Sequence, residues 1–215
     1  MSEHYSVLLV DDHPLLLKGL KQLLEFEDNI DVVGEVNNGK DAVARAAEVD
    51  PDLIVLDLNM QGMDGIATLK AMRDAGVTSR IVMLTVSDAD EDVVEAISAG
   101  ADGYLLKDMD PELLIEQFKK ALTGKMVMSE AVTEILASAL RKPAARYQAD
   151  LNNLTNREYE ILSLIAKGMS NKLIARELDI SDGTVKVHVK HLLKKLGLRS
   201  RVEAAVWMVN QQGSQ

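Results

Sequence analysis

Cysteine is absent from the 215 residues, which removes disulfides, thiolate nucleophiles and cysteine-based zinc or iron–sulfur sites together. Long apolar runs are missing as well: unbroken runs such as residues 7–10 and 81–84 fall far short of the roughly 20 residues that a membrane-spanning helix needs. The opening MSEHYSVLLVDDH has no Lys or Arg ahead of its apolar stretch, so no secretory leader is expected and the cytoplasm is the default location. No G-x-G-x-x-G or G-x-x-x-x-G-K-[ST] loop follows any apolar run, which leaves dinucleotide and P-loop nucleotide binding without support. What is present, 47% hydrophobic and 27% charged residues, is the balance of a folded chain rather than a disordered, collagen-like or coiled-coil one. The length suits one large domain or two small ones.

Charge separates the two halves. Residues 1–125 hold 11 Lys+Arg against 25 Asp+Glu, a net of −14, whereas residues 151–215 hold 10 against 6, a net of +4. The stretch 126–150 is neutral and carries Pro143 after a helix-prone run at 130–140. Proline cannot extend that helix, so a linker is expected to start there. These shifts give a domain at 1–125, a helix and linker at 126–150, and a second domain at 151–215.

In the first domain five short apolar runs, at 7–10, 31–36, 53–56, 81–85 and 103–106, alternate with amphipathic stretches near 14–26, 39–48, 64–75, 89–99 and 111–122. Runs of continuous Val, Ile and Leu are buried on both faces, which predicts a five-stranded parallel sheet, doubly wound, with helices on each side. In such a fold ligands bind beyond the carboxyl ends of the strands. There the sequence places Asp11 and Asp12, Asp57, Thr85 and Lys107.

One Asp after a strand is ordinarily a turn former or helix cap; the coincidence at four strand ends reverses that preference. Three carboxylates packed together raise one another's pKa, and a divalent cation relieves them. Oxygen ligands of this kind suit Mg²⁺ completed by a phosphoryl group, with Lys107 and Thr85 as contacts to phosphoryl oxygens. A carboxylate beside Mg²⁺ and Lys can itself attack phosphorus to give an acyl phosphate.

Residues 6–122 resemble the receiver domain of two-component response regulators through Val10-Asp11-Asp12-His13-Pro14, Asp57-Leu58-Asn59-Met60, Gly62-Met63-Asp64-Gly65, Thr85-Val86-Ser87 and Lys107-Asp108. The resemblance implies a flavodoxin-like strand order 2-1-3-4-5. It implies that Asp57 accepts a phosphoryl group from a sensor histidine kinase, that Asp11, Asp12, Asp57 and the Asn59 carbonyl hold Mg²⁺, and that Lys107 pairs with the phosphoaspartate. Thr85 and Tyr104 resemble the family's switch pair, although an aromatic on an edge strand also packs without any such role. Asn59 and Ser87 sit where the family tunes phosphate loss. Two positions depart from the pattern: Gln61 and Asp108 each stand where many members have proline, and Asp108 argues against a cis peptide there.

From Leu151 the texture changes to capped helices at about 156–167, 171–178, 182–196 and 201–211. Thr155 to Glu158 and Ser200 to Glu203 both match a capping box, Ser170 and Ser181 are further caps, and Gly168 and Gly197 fall at helix ends. The core is expected from Leu154, Ile161, Leu164, Ile165, Ile174, Leu178, Ile180 and one stripe of the third helix, Val185, Val189, Leu192, Leu193 and Leu196. The opposite side carries Lys186, Val187, Lys190 and Lys194. A lysine stripe is usually a solvated face, but here a helix and tight turn at 174–181 lead straight into it, which makes a helix-turn-helix.

Residues 151–208 resemble the LuxR-type DNA-binding domain through Leu154-Thr155-Asn156-Arg157-Glu158, Gly168-Met169-Ser170-Asn171-Lys172, Thr184-Val185-Lys186-Val187-His188 and 195–201. The resemblance implies base contacts from Lys186, Val187 and Lys190, and backbone contacts from Lys172, Thr184, Lys194 and Arg199. An exposed Val187 suits a thymine methyl. The last helix, with Val202, Ala205, Val206, Trp207 and Val209, serves either core closure or a dimer surface; a homodimer on double-stranded DNA is expected.

Receiver plus LuxR-type domain is the plan of the NarL/FixJ class of transcriptional response regulators, and runs such as 101–108 and 184–193 are most similar to its nitrate/nitrite-responsive members. The expectation is a phosphorylation-dependent transcription factor, with no enzyme activity beyond its own phosphoryl chemistry. Phosphorylation either releases a recognition helix covered by the acidic domain or drives dimerisation. A phosphotransfer enzyme with a nucleic-acid anchor is disfavoured by the lack of catalytic machinery in the second domain; an adaptor that binds protein instead of DNA is separated by salt dependence.

Overall fold

The computed structural model describes residues 4–129, 132–133 and 151–212, and they fall into two compact units. The first contains, among the described residues, β1 (Tyr5–Val10), α1 (Pro14–Glu25), β2 (Ile30–Val36), α2 (Gly39–Val49), β3 (Leu53–Leu56), α3 (Gly65–Asp74), β4 (Arg80–Thr85), α4 (Asp90–Ala99), β5 (Gly103–Leu106), α5 (Pro111–Leu122) and β6 (Val127–Met128). All pairings are parallel, in the order β2-β1-β3-β4-β5-β6.

Strand alternation sends neighbouring side chains to opposite layers. Leu8, Val10, Ile54, Leu56, Ile81, Met83 and Tyr104 pack with residues of α2, α3 and α4, such as Ala42, Leu69 and Val93. Val7, Leu9, Leu53, Val55, Val82, Leu84 and Leu105 pack instead with Leu17, Leu20 and Leu24 of α1 and with Leu114 and Phe118 of α5. Because both faces are covered, β3 is buried at every position, which is why its sequence does not alternate.

The sheet has one strand more than the five read from the sequence. Val127 and Met128 pair with Gly103 and Tyr104, so Tyr104 lies on an inner strand rather than at the edge. Two residues are too few to show a period, and they fall where the sequence suggested helix and linker. Val132 and Thr133 are helical; the rest of the helix expected at 130–140 and the linker around Pro143 lie outside the described residues.

Among the described residues from Leu151 on, the second unit holds a 3-10 turn (Leu151–Asn153), then α6 (Asn156–Ala166), α7 (Asn171–Glu177), α8 (Asp182–Leu196) and α9 (Arg201–Gln212). Thr155 and Glu158 form a complete capping box, and Ser170 and Ser181 each accept a backbone N–H at their helix starts. The expected second box is only half formed: Ser200 Oγ accepts from Glu203 N–H, while the Glu203 carboxylate reaches Arg199 N–H instead. The expected core closes around Ile161, Ile165, Ile174 and the α8 stripe, with Leu154, Leu178 and Ile180 at its margin. The turn between α7 and α8 places Asp179 at φ 51°, a left-handed conformation that Asp tolerates better than most side chains.

Candidate functional site

Parallel pairing of β1, β3, β4 and β5 aligns their carboxyl ends, and the residues just beyond them meet. Lys107 Nζ lies 2.6 Å from Asp11 Oδ2 and 2.9 Å from Asp57 Oδ1. Asp57 is buried, at 1% exposure, and Asp11 almost so. Gly65, the first residue of α3, permits this close packing: a Cβ there would stand 2.1 Å from the Asp57 carbonyl oxygen.

Three carboxylates and one ammonium leave an excess of negative charge in a nearly dry place. Asp12 Oδ1 and both Asp57 oxygens are buried without a completed hydrogen bond; the contacts that remain are ion pairs, Lys107 Nζ with Asp57 Oδ1 and the His13 ring with Asp12 Oδ1. Burial raises the Asp57 pKa above the usual carboxylate range, with the Asp11 charge adding to it; Lys107 and the Asn59 main-chain N–H pull the other way. Buried oxygens left unpaired are costly, and a hard divalent cation is the ligand that this donor set fits. Asp11, Asp12, Asp57 and His13 each offer one ligand atom within 4.8 Å of the others.

His13 enters the sequence reading only as part of the receiver-like motif and is given no role there, since its position beside two aspartates was its only signal. Its ring Nδ1 is 2.9 Å from Asp12 Oδ1 and 3.1 Å from Asp11 Oδ1, while its main-chain N–H donates to Asp11 Oδ1. Gln61 proves informative too: its N–H donates to Asp12 Oδ2 at 3.0 Å, a bond that the proline found at this position in many relatives cannot make. The Lys107–Asp108 peptide is trans.

Thr85 is fully buried, and its hydroxyl accepts from Ser87 N–H at 3.1 Å and from the Asn59 side-chain amide at 3.4 Å. Tyr104 is fully buried with its ring inward, and its phenol donates to the Ser87 carbonyl at 2.9 Å. Burial, reinforced by Asp92 and Asp88, pushes the phenol pKa up to about 12, which keeps it protonated and a donor.

In the second unit the residues picked as DNA contacts all lie outside the core. Val187 is 53% exposed on α8, and Lys190, Lys194, Thr184 and Arg199 are exposed. Lys186 is half-buried and lies 3.7 Å from Asp182 one turn back, so part of its charge is already answered. Lys172 is half-buried on α7. Thr184 shares a 2.7 Å hydrogen bond with Ser181 Oγ. Lys195 turns away to pair with buried Glu158 at 2.7 Å. Arg201, buried, reaches the Asn171 side chain at 3.0 Å and the Met169 carbonyl, which fixes the start of α9 against the turn before α7. No helix among the described residues is long and apolar enough to cross a membrane.

Comparison with known proteins gives concordant matches for both units. Residues 7–119 match the response regulator receiver domain, and residues 152–208 match the bacterial regulatory proteins of the luxR family. The nitrate/nitrite response regulator NarL of Escherichia coli K12 is 54% identical over 206 residues, 96% of this chain and 95% of that one. NarP of the same organism is 47% identical over 211 residues, 98% and 97% of the two chains. Among solved structures, the response regulator ChrA of a heme-sensing two-component system aligns with a TM-score of 0.52 at 33% identity, covering 97% of this chain and 98% of that chain.

Proposed function

Because this chain belongs to the two-component response regulators that join a receiver domain to a LuxR-family DNA-binding domain, we propose that it is a phosphorylation-gated transcription factor serving nitrate- or nitrite-responsive genes of anaerobic respiration. The observation that carries this reading is Asp57, a buried carboxylate whose oxygens lack a completed hydrogen bond, held beside Asp11 and Asp12 and paired with Lys107. An Asp57 oxygen bonds to the phosphorus of a sensor kinase's phosphohistidine as the N–P bond breaks; the bonding pair stays with the imidazole and Asp57 becomes an acyl phosphate.

Asp11, Asp12, Asp57 and the Asn59 carbonyl would hold Mg²⁺, which, when bound, offsets charge on the phosphoryl oxygens. Lys107, already between Asp11 and Asp57, pairs with the new phosphoryl oxygens. Thr85 turns its hydroxyl from the Ser87 N–H toward the phosphoryl group, with the Tyr104 ring packed inward behind it. The chain performs no other chemistry; its output is binding to DNA.

For that output Lys186, Val187 and Lys190 of α8 read base edges in the major groove, while Lys172, Thr184, Lys194 and Arg199 meet the backbone. The working organisation is a receiver at 1–125, a helix and linker at 126–150 and a DNA-binding domain at 151–215, acting as a homodimer on double-stranded DNA in the cytoplasm. Identity near one half with the two nitrate/nitrite regulators over nearly the whole chain supports the stimulus.

The test is labelling by acetyl phosphate or a phosphohistidine kinase with Mg²⁺, on the native chain and on Asp57→Asn, followed by DNA binding of each product. Label on the native chain alone, with a rise in DNA affinity, is the expected result. Label without any change in DNA binding overturns the gating.

A further inference from the structure

Ser87 joins both members of the Thr85–Tyr104 pair, and all its polar groups are committed. Its N–H donates to Thr85 Oγ1, its carbonyl accepts from the Tyr104 phenol, and its hydroxyl donates to Asp92 Oδ2 at 2.5 Å. Asp92 stands in the first turn of α4, whose capping position is Ala89, with no side chain able to cap. Ser87 Oγ accepts the N–H of Ala89 itself at 3.4 Å. The start of α4 is therefore secured by a residue of the β4–α4 loop, and that residue is held by Asp92.

An acid in the first turn of a helix ordinarily does no more than complement the helix dipole. Asp90 and Glu91 in the same turn fit that description, both being exposed. Asp92 is half-buried and bonded to the loop that the switch pair uses. We infer that Asp92 is a positioning residue: by holding the Ser87 hydroxyl it keeps the Ser87 carbonyl where an inward Tyr104 can reach it, and so couples the first turn of α4 to phosphoryl retention at Asp57. The inference rests on the reading of Asp57 as phosphoacceptor.

The coupling follows from reciprocity. A phosphoryl group that draws Thr85 toward it is favoured by whatever favours the matching arrangement of Ser87 and Tyr104, and the reverse holds equally. Without the Asp92 acceptor, the Ser87 side chain is no longer held in one rotamer. Its carbonyl then loses a fixed position, and the inward ring loses its best partner.

The experiment uses the full chain and two readouts. In metal-free protein labelled with 3-fluorotyrosine, the Tyr104 fluorine signal, assigned with Tyr104→Phe, reports ring burial; with Mg²⁺, titration with beryllofluoride reports affinity for a phosphoryl mimic. Asp92→Ala is expected to move the Tyr104 signal toward the exposed position and to weaken beryllofluoride binding about tenfold, on the order of one charge-assisted hydrogen bond. Ser87→Ala should do the same, and the double variant little more, because the two residues form one pair. Asp92→Asn, which keeps an acceptor oxygen, should restore most of both signals. Asp90→Ala removes the same charge from the same turn without touching Ser87 and should leave both unchanged. The inference is overturned if Asp92→Ala behaves as Asp90→Ala does, or if Asp92→Asn is no better than Asp92→Ala. Acetyl phosphate labelling of the native chain is run alongside: absence of label on Asp57 sinks the phosphoacceptor reading, whereas the metal-free fluorine result bears on Asp92 alone.

Discussion

Asp57→Asn is expected to stabilise the metal-free protein at neutral pH, although it removes the proposed phosphoacceptor. The native carboxylate is buried with neither oxygen properly hydrogen-bonded and with Asp11 close by; Lys107 returns only part of that cost. Asparagine has the same shape and no charge to desolvate. Relieving an unsatisfied buried group is worth about 1–3 kcal/mol, and the nearby ammonium puts the estimate near the middle, about 2 kcal/mol. For a unit of this size that corresponds to roughly 8 °C in the melting temperature. The pH dependence has a definite sign. The folded pKa of Asp57 is raised above its unfolded value, so its stabilising contribution is present below the ordinary carboxylate pKa and is lost as pH rises through the folded value. The advantage of asparagine should therefore be full near pH 7 and shrink steadily on acidification. The assay is thermal unfolding in EDTA from pH 4 to pH 8, following the transition of the first unit. No gain at pH 7, or a gain that persists unchanged at pH 4, refutes the claim that a buried, poorly paired charge sits at Asp57. Excess Mg²⁺ should then raise the native melting temperature more than that of the variant, since ligand binding stabilises in proportion to occupancy.

Gln61→Pro deletes the N–H that holds Asp12 Oδ2; Mg²⁺ affinity, read from the metal-dependent rise in melting temperature, should fall several-fold, on the scale of one hydrogen bond to a charged group. Glu158→Ala removes the acceptor for Thr155 and for Lys195 and should cost the second unit about 2 kcal/mol by urea unfolding. Burial alone would raise the Glu158 pKa, but Lys195 and the Thr155 donors outweigh it and hold the carboxyl below its usual range; its contribution is thus present above the ordinary carboxylate pKa and lost as pH falls through the lower folded value. On DNA, Lys194→Ala should weaken binding evenly across sequences and reduce the salt slope by about one, whereas Lys190→Ala should relax preference at particular base pairs; equal effects on cognate and random DNA for both would undo the division of roles.

Much of this architecture is legible in the sequence because its signals are local and repeated. Buried parallel strands announce themselves as unbroken Val, Ile and Leu, and Thr155, Ser170 and Ser181 cap the helices that they were expected to cap. The convergence of Asp11, Asp57 and Lys107 follows from topology once each is placed at a strand end. What escaped the sequence depends on distance in space or on very short segments. Val127–Met128 is too brief for a period, and its pairing is visible only beside β5. Asp92 resembles any acid in a first helical turn until Ser87 is seen against it. Gln61 acts through its backbone, which leaves no side-chain signature, and Glu203 chose Arg199 N–H over the Ser200 N–H that a capping box would use.

The parity of the central strands also partitions the receiver into two separately packed compartments. Tyr104 belongs to the one shared with α2, α3 and α4, whereas α1 and α5 are packed against side chains that point the other way. A change at the Tyr104 ring is therefore felt first by the α2, α3 and α4 side chains packed with it, with the hydrogen-bonded sheet lying between that ring and α1 and α5. Substitutions on the buried stripes of α1 and α5 are accordingly expected to cost stability without first displacing the Tyr104 ring.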